Sequence, residues 1–406
     1  MQIDIDGLLN LPNVQVTDFS FTDKHVFVSL KRQTKSEKCP TCGGQCSTVR
    51  SYTTRQVRDL DILGRQTILT VQSRQFECGL CNRYFIEDIG FVQGNHGLTK
   101  RYEAYVYTMS KDICIQQVCL KEHVCWATVN AIHKQYALRE LGNQGNPWQL
   151  VEVLSIDEIA VRKGKRNFAC VLRDAGRNVV LDFLEKRDMA TLKVYFAKKG
   201  LALCSQIKVV VSDSGRAAVA DGYVNLAGEK GVFKNAINVI DRFHFVQHLS
   251  TALDSQRKLV RRELVGEERV KNIRWPLLKS PDSLSKEEFL QLQAAFEVSP
   301  SLGAIYRLRA KLKALFDTDY SQQGGMLALT EWAVEARGIK SKPLEKFLVT
   351  FTNWQEKVSH FFTNRLTNAG MEGTNNHIRS IIRRAFGYVD FSALRLRVLT
   401  ECGCSP

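Results

Sequence analysis

The chain has 406 residues, 44% of them hydrophobic and 24% charged, the proportions of a soluble protein with two or three cored domains. Its 57 Lys and Arg against 42 Asp and Glu leave a net charge of +15, which favours a polyanionic partner, nucleic acid before others, because neutralised phosphates release counterions. No apolar run approaches the roughly 18 residues of a membrane helix, and the start, Met1-Gln-Ile-Asp-Ile-Asp, lacks the basic region of a signal peptide, so a cytoplasmic protein without membrane contact is expected.

Twelve cysteines in a chain without an export signal argue against a disulfide scaffold, and their spacing is more informative. "CPTC" supplies Cys39 and Cys42, and "CGLC" supplies Cys78 and Cys81. Two such knuckles can set four thiolates tetrahedrally around Zn²⁺, with Pro40, Gly43 and Gly79 suited to the tight turns. The alternative is four unrelated buried thiols. The intervening "RQVRDLDILGRQTILTVQSRQFEC" alternates like paired strands, so the knuckles are expected at the tips of a small sheet within a zinc-binding module, residues 1–95. Cys46 lies off the pattern. Cys114, Cys119, Cys125, Cys170 and Cys204 read as core residues, and Cys402 and Cys404 as part of a frayed tail.

Residues 99–140 read as helices. "CIQQVCLKEHV" followed by "CWATVNAIHKQYALREL" has the outline of a helix-turn-helix, which assigns residues 96–142 to DNA binding, with the helix from about Trp126 entering the major groove. An ordinary three-helix core has the same outline. "GNQGNP" (142–147) is the clearest linker.

The pattern then changes to α/β. Three strand-like runs, 151–157, 168–174 and 178–186, are joined by short turns. A helix leads to "IKVVVSD" (207–213), and a second helix (216–228) to "INVID" (237–241). Three antiparallel strands followed by helix, strand, helix and strand is the order of an RNase H-like fold, assigned to 148–245 and 366–400. Residues 246–365 look almost wholly helical, with a break at "KSPDSLSKEE", and read as an inserted domain. The last element, about 366–385, is a helix carrying Glu372. The fold class is therefore multidomain α/β: an RNase H-like catalytic core with an all-α insertion, preceded by a zinc-binding module and a helix-turn-helix.

In that order Asp157 ends the first strand and Asp213 the fourth, and these strands would be neighbours. Glu372 on the late helix would close the site. Three carboxylates and little else suit Mg²⁺ or Mn²⁺ and in-line phosphoryl transfer without a nucleophilic side chain. Each acid taken alone reads as a turn former or a solvated side chain, so the weight rests on their conjunction. Glu158 rivals Asp157, because the two side chains leave a strand on opposite faces. Asp241 rivals Asp213.

These stretches, "SIDEIAVRKG", "VVVSD", "DRFH" and "NAGMEGTNNHIRSIIRRAFGY", with the cysteine knuckles and helical pair before them, resemble the DDE transposases of bacterial insertion sequences, most closely the ISL-three family. The likeness runs in family order from about residue 39 to 399. It implies catalytic, metal-binding roles for Asp157, Asp213 and Glu372, and an accessory role for Asp241 and His244, whose alternative is a strand end packed on a core histidine. "SDSGRAA" departs from the family, where an aromatic residue tends to follow the second acid, and "NAG" stands where Asn-Gly is common. Asn368, Glu372, Asn375, Arg379 and Arg383 share one helical face, so amides and arginines there would meet DNA beside a metal-held carboxylate. A solvated polar stripe would look similar. Arg162, Lys163 and Lys165, after the first acid, read as phosphate contacts or as a solvated turn.

The expected function is a DNA transposase, cytoplasmic and nucleoid-associated, that needs Mg²⁺ (or Mn²⁺) and Zn²⁺. It would bind the terminal inverted repeats of its element, cut them and join the freed ends to target DNA, as a homo-oligomer holding two ends together. The alternatives are a nuclease of the same fold that cuts without joining, and a zinc-ribbon regulator or transposase remnant that binds DNA without chemistry.

Overall fold

A computed structural model describes residues 4–93, 97–162, 167–212, 223, 226–229, 231–384 and 390–403. The chain divides into two units, Met1–Asn143 with Arg384–Phe386, and Gln144–Arg383 with Gly387–Pro406.

The first unit opens with a short helix, α1 (Ile5–Leu9), started by Asp4, whose side chain accepts from Gly7 N. Two hairpins follow, β1 (Val14–Phe21) with β2 (His25–Arg32), and β5 (Val49–Ile62) with β6 (Arg65–Glu77). Between them lie the small ribbon strands β3 (Glu37–Lys38) and β4 (Gln45–Cys46), and β7 (Tyr84–Ile86) pairs with β6. The sheet order is β1-β2-β6-β5, with β2 and β6 parallel. The long hairpin turns through Leu63 and Gly64, both at positive φ (50° and 76°), the pair of left-handed residues a two-residue loop demands. Alternation on β6 buries Leu69 and Val71 against Val28, Leu30 and Val57. Glu87 is buried among arginines: Arg74 Nη2 lies 2.7 Å and Arg32 Nε 3.3 Å from Oε2.

Three helices complete this unit: α2 (Lys100–Asp112), α3 (Ile115–Glu122) and α4 (Trp126–Asn143). Thr99 caps α2 by accepting from Tyr102 N and also donates to Asp59 at 2.7 Å. His123, at φ 53°, ends α3 in the left-handed conformation and turns the chain towards α4. Val106, Val118, Val129 and Ile132 are fully buried. Cys125, expected in a core, is exposed and sits 3.0 Å from Thr128 Oγ1 at the start of α4.

The second unit is built on a five-stranded sheet of order β10-β9-β8-β11-β12. Its strands are β8 (Val153–Ala160), β9 (Phe168–Asp174), β10 (Val179–Leu184), β11 (Val209–Ser212) and β12 (Ile237–Ile240). β8, β9 and β10 pair antiparallel, whereas β11 runs parallel to both β8 and β12. One face carries α5 (Met189–Lys199) and α6 (Leu201–Gln206), packed on Leu154, Ile156 and Val210. The other face, with Val209, Val211 and Val239, joins the core of a helical array. That array is α7 (Arg242–Glu263), α8 (Arg274–Leu278), α9 (Lys286–Val298), α10 (Pro300–Asp317), α11 (Gln322–Arg337), α12 (Lys342–Ser359) and α13 (Phe361–Asn364). Ser285 and Glu288 form a reciprocal capping box at the start of α9, directly after the expected break. α14 (Ala369–Arg384) and α15 (Phe391–Cys402) close the chain.

Three expectations change. The first strand does not end at Asp157 but runs to Ala160, because β9 continues to pair with it. Most of the helix expected at 216–228 lies outside the described residues, and 226–229 forms a turn with an Ala227–Phe233 bridge. The end of the chain is not frayed at Cys402: that residue closes α15, which packs on β10. No helix among the described residues is long and apolar enough to cross a membrane.

Candidate active site and metal centre

In the first unit the sulfurs of Cys39, Cys42, Cys78 and Cys81 lie within 4.8 Å of one another, with Cys39–Cys81 at 3.7 Å and Cys42–Cys78 at 3.4 Å. Four sulfurs about 2.3 Å from a tetrahedral Zn²⁺ would be about 3.8 Å apart, so the quartet fits this ion. The two knuckles are built alike. Gly43 N donates to Cys39 O at 2.9 Å, Asn82 N to Cys78 O at 2.8 Å, and both donors adopt positive φ (75° and 52°). The left-handed residue of the second knuckle is thus Asn82 rather than Gly79.

Backbone N–H groups of Cys81 and Leu80 point at the Cys78 sulfur and pull that thiol down to about 6. Cys39 is lowered in the same way by the N–H of Cys42. These donors favour a thiolate at one cysteine of each knuckle, whereas Cys42 and Cys81, beside those sulfurs, are raised, Cys81 chiefly by burial. Cys46 is buried beside the quartet, where burial pushes its thiol up to about 11, and its sulfur is not part of the converging group.

In the second unit a cleft of about 850 Å³ opens at the sheet, lined by parts of β8, α7 and α14. Asp157, Asp241, His244, Asn368, Glu372, Asn375 and Arg379, all singled out in the sequence, line it. Asp157 is held from two sides: Asn375 Nδ2 donates to Oδ2 at 2.7 Å, and Glu158 N donates to Oδ1 at 2.7 Å. The first of these bonds ties strand β8 to helix α14, 218 residues away in the chain. Asn368 and Asn375 are buried, yet among the described residues the Oδ1 atom of each has no hydrogen-bond partner. Such orphaned acceptors cost free energy unless a donor or a cation reaches them. Glu372 is exposed to the cleft on the first turn of α14, where the helix's positive end stabilises a carboxylate.

Asp241 caps α7, accepting from Phe243 N at 3.1 Å, and its own N–H donates to Ser212 O at 3.3 Å. This structural work does not use up its position, since it and His244 both face the cleft. Glu158, the rival of Asp157, also reaches the cleft but is ion-paired with Arg187, whose guanidinium stacks 4.4 Å over the Phe168 ring. Arg187 and Phe168 are cleft residues that sequence reasoning missed, because neither belongs to a recognisable motif. Their signal was position alone, Phe168 on β9 beside β8 and Arg187 just after β10. Arg162 and Arg383 do not line the cleft. Asp213, Lys163 and Lys165 lie outside the described residues. Ser212, the last described residue of β11, pairs with Ile156, and an aspartate follows each of the two in sequence. Among the described residues the cysteine quartet is the one cluster of three or more metal-ligand side chains that converges.

Comparison with known proteins places this geometry in context. Residues 154–398 match the family model of the ISL3-type DDE transposases, and residues 35–81 match the zinc finger of the transposases of IS204, IS1001, IS1096 and IS1165. The chain is similar to the transposase for insertion sequence element IS1001 of Bordetella parapertussis, 25% identical over 91% of this chain and 90% of that protein. It is also similar to the transposase for insertion sequence element IS1557 of Mycobacterium tuberculosis, 24% identical over 91% of this chain and 86% of the relative. No solved structure matches the chain.

Proposed function

Because the chain belongs to the ISL3 family of DDE transposases, we propose that it binds the terminal inverted repeats of its own element, cleaves there and transfers the freed 3′ ends to target DNA. The observation that carries this reading is the meeting in one cleft of Asp157 with Asn368, just before α14, and Glu372 and Asn375 on α14, from sequence positions more than two hundred residues apart. The sheet order β10-β9-β8-β11-β12, antiparallel then parallel, supports an RNase H-like catalytic core. The α3–turn–α4 pair supports a helix-turn-helix, with exposed Trp126 at the start of the helix that would enter the groove.

Asp157, Asp213 and Glu372 would hold the catalytic metal, for which carboxylate oxygens and the two orphaned amide oxygens are a fitting hard-donor set. Bound Mg²⁺ or Mn²⁺ would supply Lewis acidity to the attacking hydroxyl and the leaving oxygen of an in-line displacement. The protein's own part is positioning. Asn375 and the Glu158 N–H fix the Asp157 carboxylate, and the α14 helix sets Glu372 across the cleft from it. Arg379 and Arg187 line the same cleft and would meet the phosphates flanking the scissile bond. The zinc knuckle and helical pair would bind the repeats, and a homo-oligomer acting on the nucleoid in the cytoplasm would hold both ends.

The test is cleavage of DNA carrying the element's end, with Mg²⁺ or Mn²⁺, by the wild type, Asp157→Ala and Glu372→Gln. Metal-dependent nicking at the end, lost in both variants while binding survives, is the expected result. Binding without nicking in every protein would overturn the catalytic reading and leave a regulator or an inactive remnant.

A further inference from the structure

The cleft does not stop at its acids. His248 and Thr251 of α7 line it and also line a second groove, of about 460 Å³, whose far wall is the start of α12. The polar residues of its wall are His248, Thr251 and Ser255 on α7, at i, i+3 and i+7, and Lys342, Lys346 and Thr350 on α12, at i, i+4 and i+8; Ala252, Leu259, Pro343 and Phe347 supply the apolar part. Each set is a single helical stripe, so the two face each other along a track.

Lys342 and Lys346 are cations in the lining of this track, which holds no acid; Glu345, between them on α12, does not line it. Asp254, the acid nearest in sequence on α7, is taken by Arg257 and Lys258. No carboxylate among the described residues pairs with Lys342 or Lys346. Lys342 is also the first residue of an 18-residue helix, whose positive end adds to the lysine charge at that point. The hydroxyls between them are already used: Thr251 donates to Gln247 O at 3.0 Å, and Ser255 to Thr251 O at 2.8 Å. They keep the floor small and neutral and leave the lysines as donors. The His248 ring is braced against Trp354, with centroids 5.8 Å apart.

We propose that this groove holds the sugar–phosphate backbone of the DNA that leads away from the scissile bond, with Lys342 and Lys346 neutralising its phosphates. The proposal rests on the transposase reading and extends it to the helical insertion. Four helical residues put the two lysines about 6 Å apart along the axis, on the scale of one to two phosphates of a strand. An acidic peptide would meet the same lysines, but it would have no reason to continue into the acid-lined cleft, whereas a DNA strand cut there must leave it by some path.

The experiment uses the full chain and two duplexes of equal length, one bearing the terminal repeat beside the gene and one unrelated. Binding is measured across salt concentrations for wild type, Lys342→Ala/Lys346→Ala, Lys342→Arg/Lys346→Arg, and a control pair on α5, Lys193→Ala/Lys198→Ala. Each neutralised phosphate contributes about 0.9 to the slope of log affinity on log salt, so the alanine pair should flatten it by about 1.8. The arginine pair should restore the wild-type slope, the control pair should keep it, and thermal unfolding should stay unchanged in all. A flattened slope on the repeat alone assigns the groove to the element end, and on both duplexes to DNA of any sequence; either supports the proposal. An unchanged slope for the alanine pair overturns it while leaving the transposase reading intact. Failure of the wild type to bind either duplex overturns both.

Discussion

Asp157 shows how one side chain depends on another far off in the chain. Its Oδ2 accepts from Asn375, and removing that donor would leave the carboxylate free to rotate. Asn375→Ala should therefore lower metal-dependent cleavage about 10- to 100-fold, with DNA affinity and unfolding little changed; a full-rate variant would show that Asp157 needs no orientation. A second residue concerns stability alone. Glu87 is buried against Arg74 and Arg32, so Glu87→Ala leaves two buried guanidinium groups without their carboxylate and should cost about 3–5 kcal/mol, read by urea unfolding. Burial alone would raise the Glu87 pKa, but the hydrogen bonds from Arg74 prevail and hold it below its usual value. A lowered carboxylate pKa adds stability that is present above the unfolded value, about 4.3, and is lost as pH falls through the folded one. The stability difference between wild type and Glu87→Ala should therefore shrink as pH drops below about 4.

At the scale of elements, the zinc ribbon was legible because two C-x-x-C spacings leave few other readings. The position of its left-handed residue was not, since Asn82 and Gly79 both tolerate tight turns and only the hydrogen bond to Cys78 O distinguishes them. Cys39→Ser and Cys78→Ser should each abolish stoichiometric zinc in the purified protein, measured by atomic absorption; retained metal would exclude these sulfurs as ligands. The length of β8 illustrates the opposite case. Its apolar run stops near Asp157, but pairing to β9 carries the strand on to Ala160, and backbone ladders leave no mark on side-chain hydropathy. Helix α11 depends on a small residue. A Cβ on Gly325 would lie 2.2 Å from the Phe362 ring of α13, so Gly325→Ala should destabilise the helical array by about 1–3 kcal/mol. A gain in stability there, as for an open helical site, would mean that Phe362 moves freely.

Across the whole molecule, the two units have separate cores: the first packs on Val28, Leu69 and Val71, the second on its sheet and helical array. Calorimetry should resolve two unfolding transitions, and stripping zinc should lower only one of them; a single transition that moves as a whole would show that the units unfold together. The sequence by itself determined the classes of element, the cysteine quartet and the family likeness, because apolar period, knuckle spacing and short motifs are local properties of the chain. It could list Asp157, Glu372, Asn368, Asn375 and Arg379 as candidates, each with a bland rival. Only the tertiary structure decided which of them share a cleft, that Asp157 bonds Asn375 while Glu158 pairs with Arg187, and that Lys342 and Ser255 line one groove. The physical reason is that contacts between residues hundreds of positions apart arise from sheet pairing and helix packing, and no local pattern in the chain encodes them.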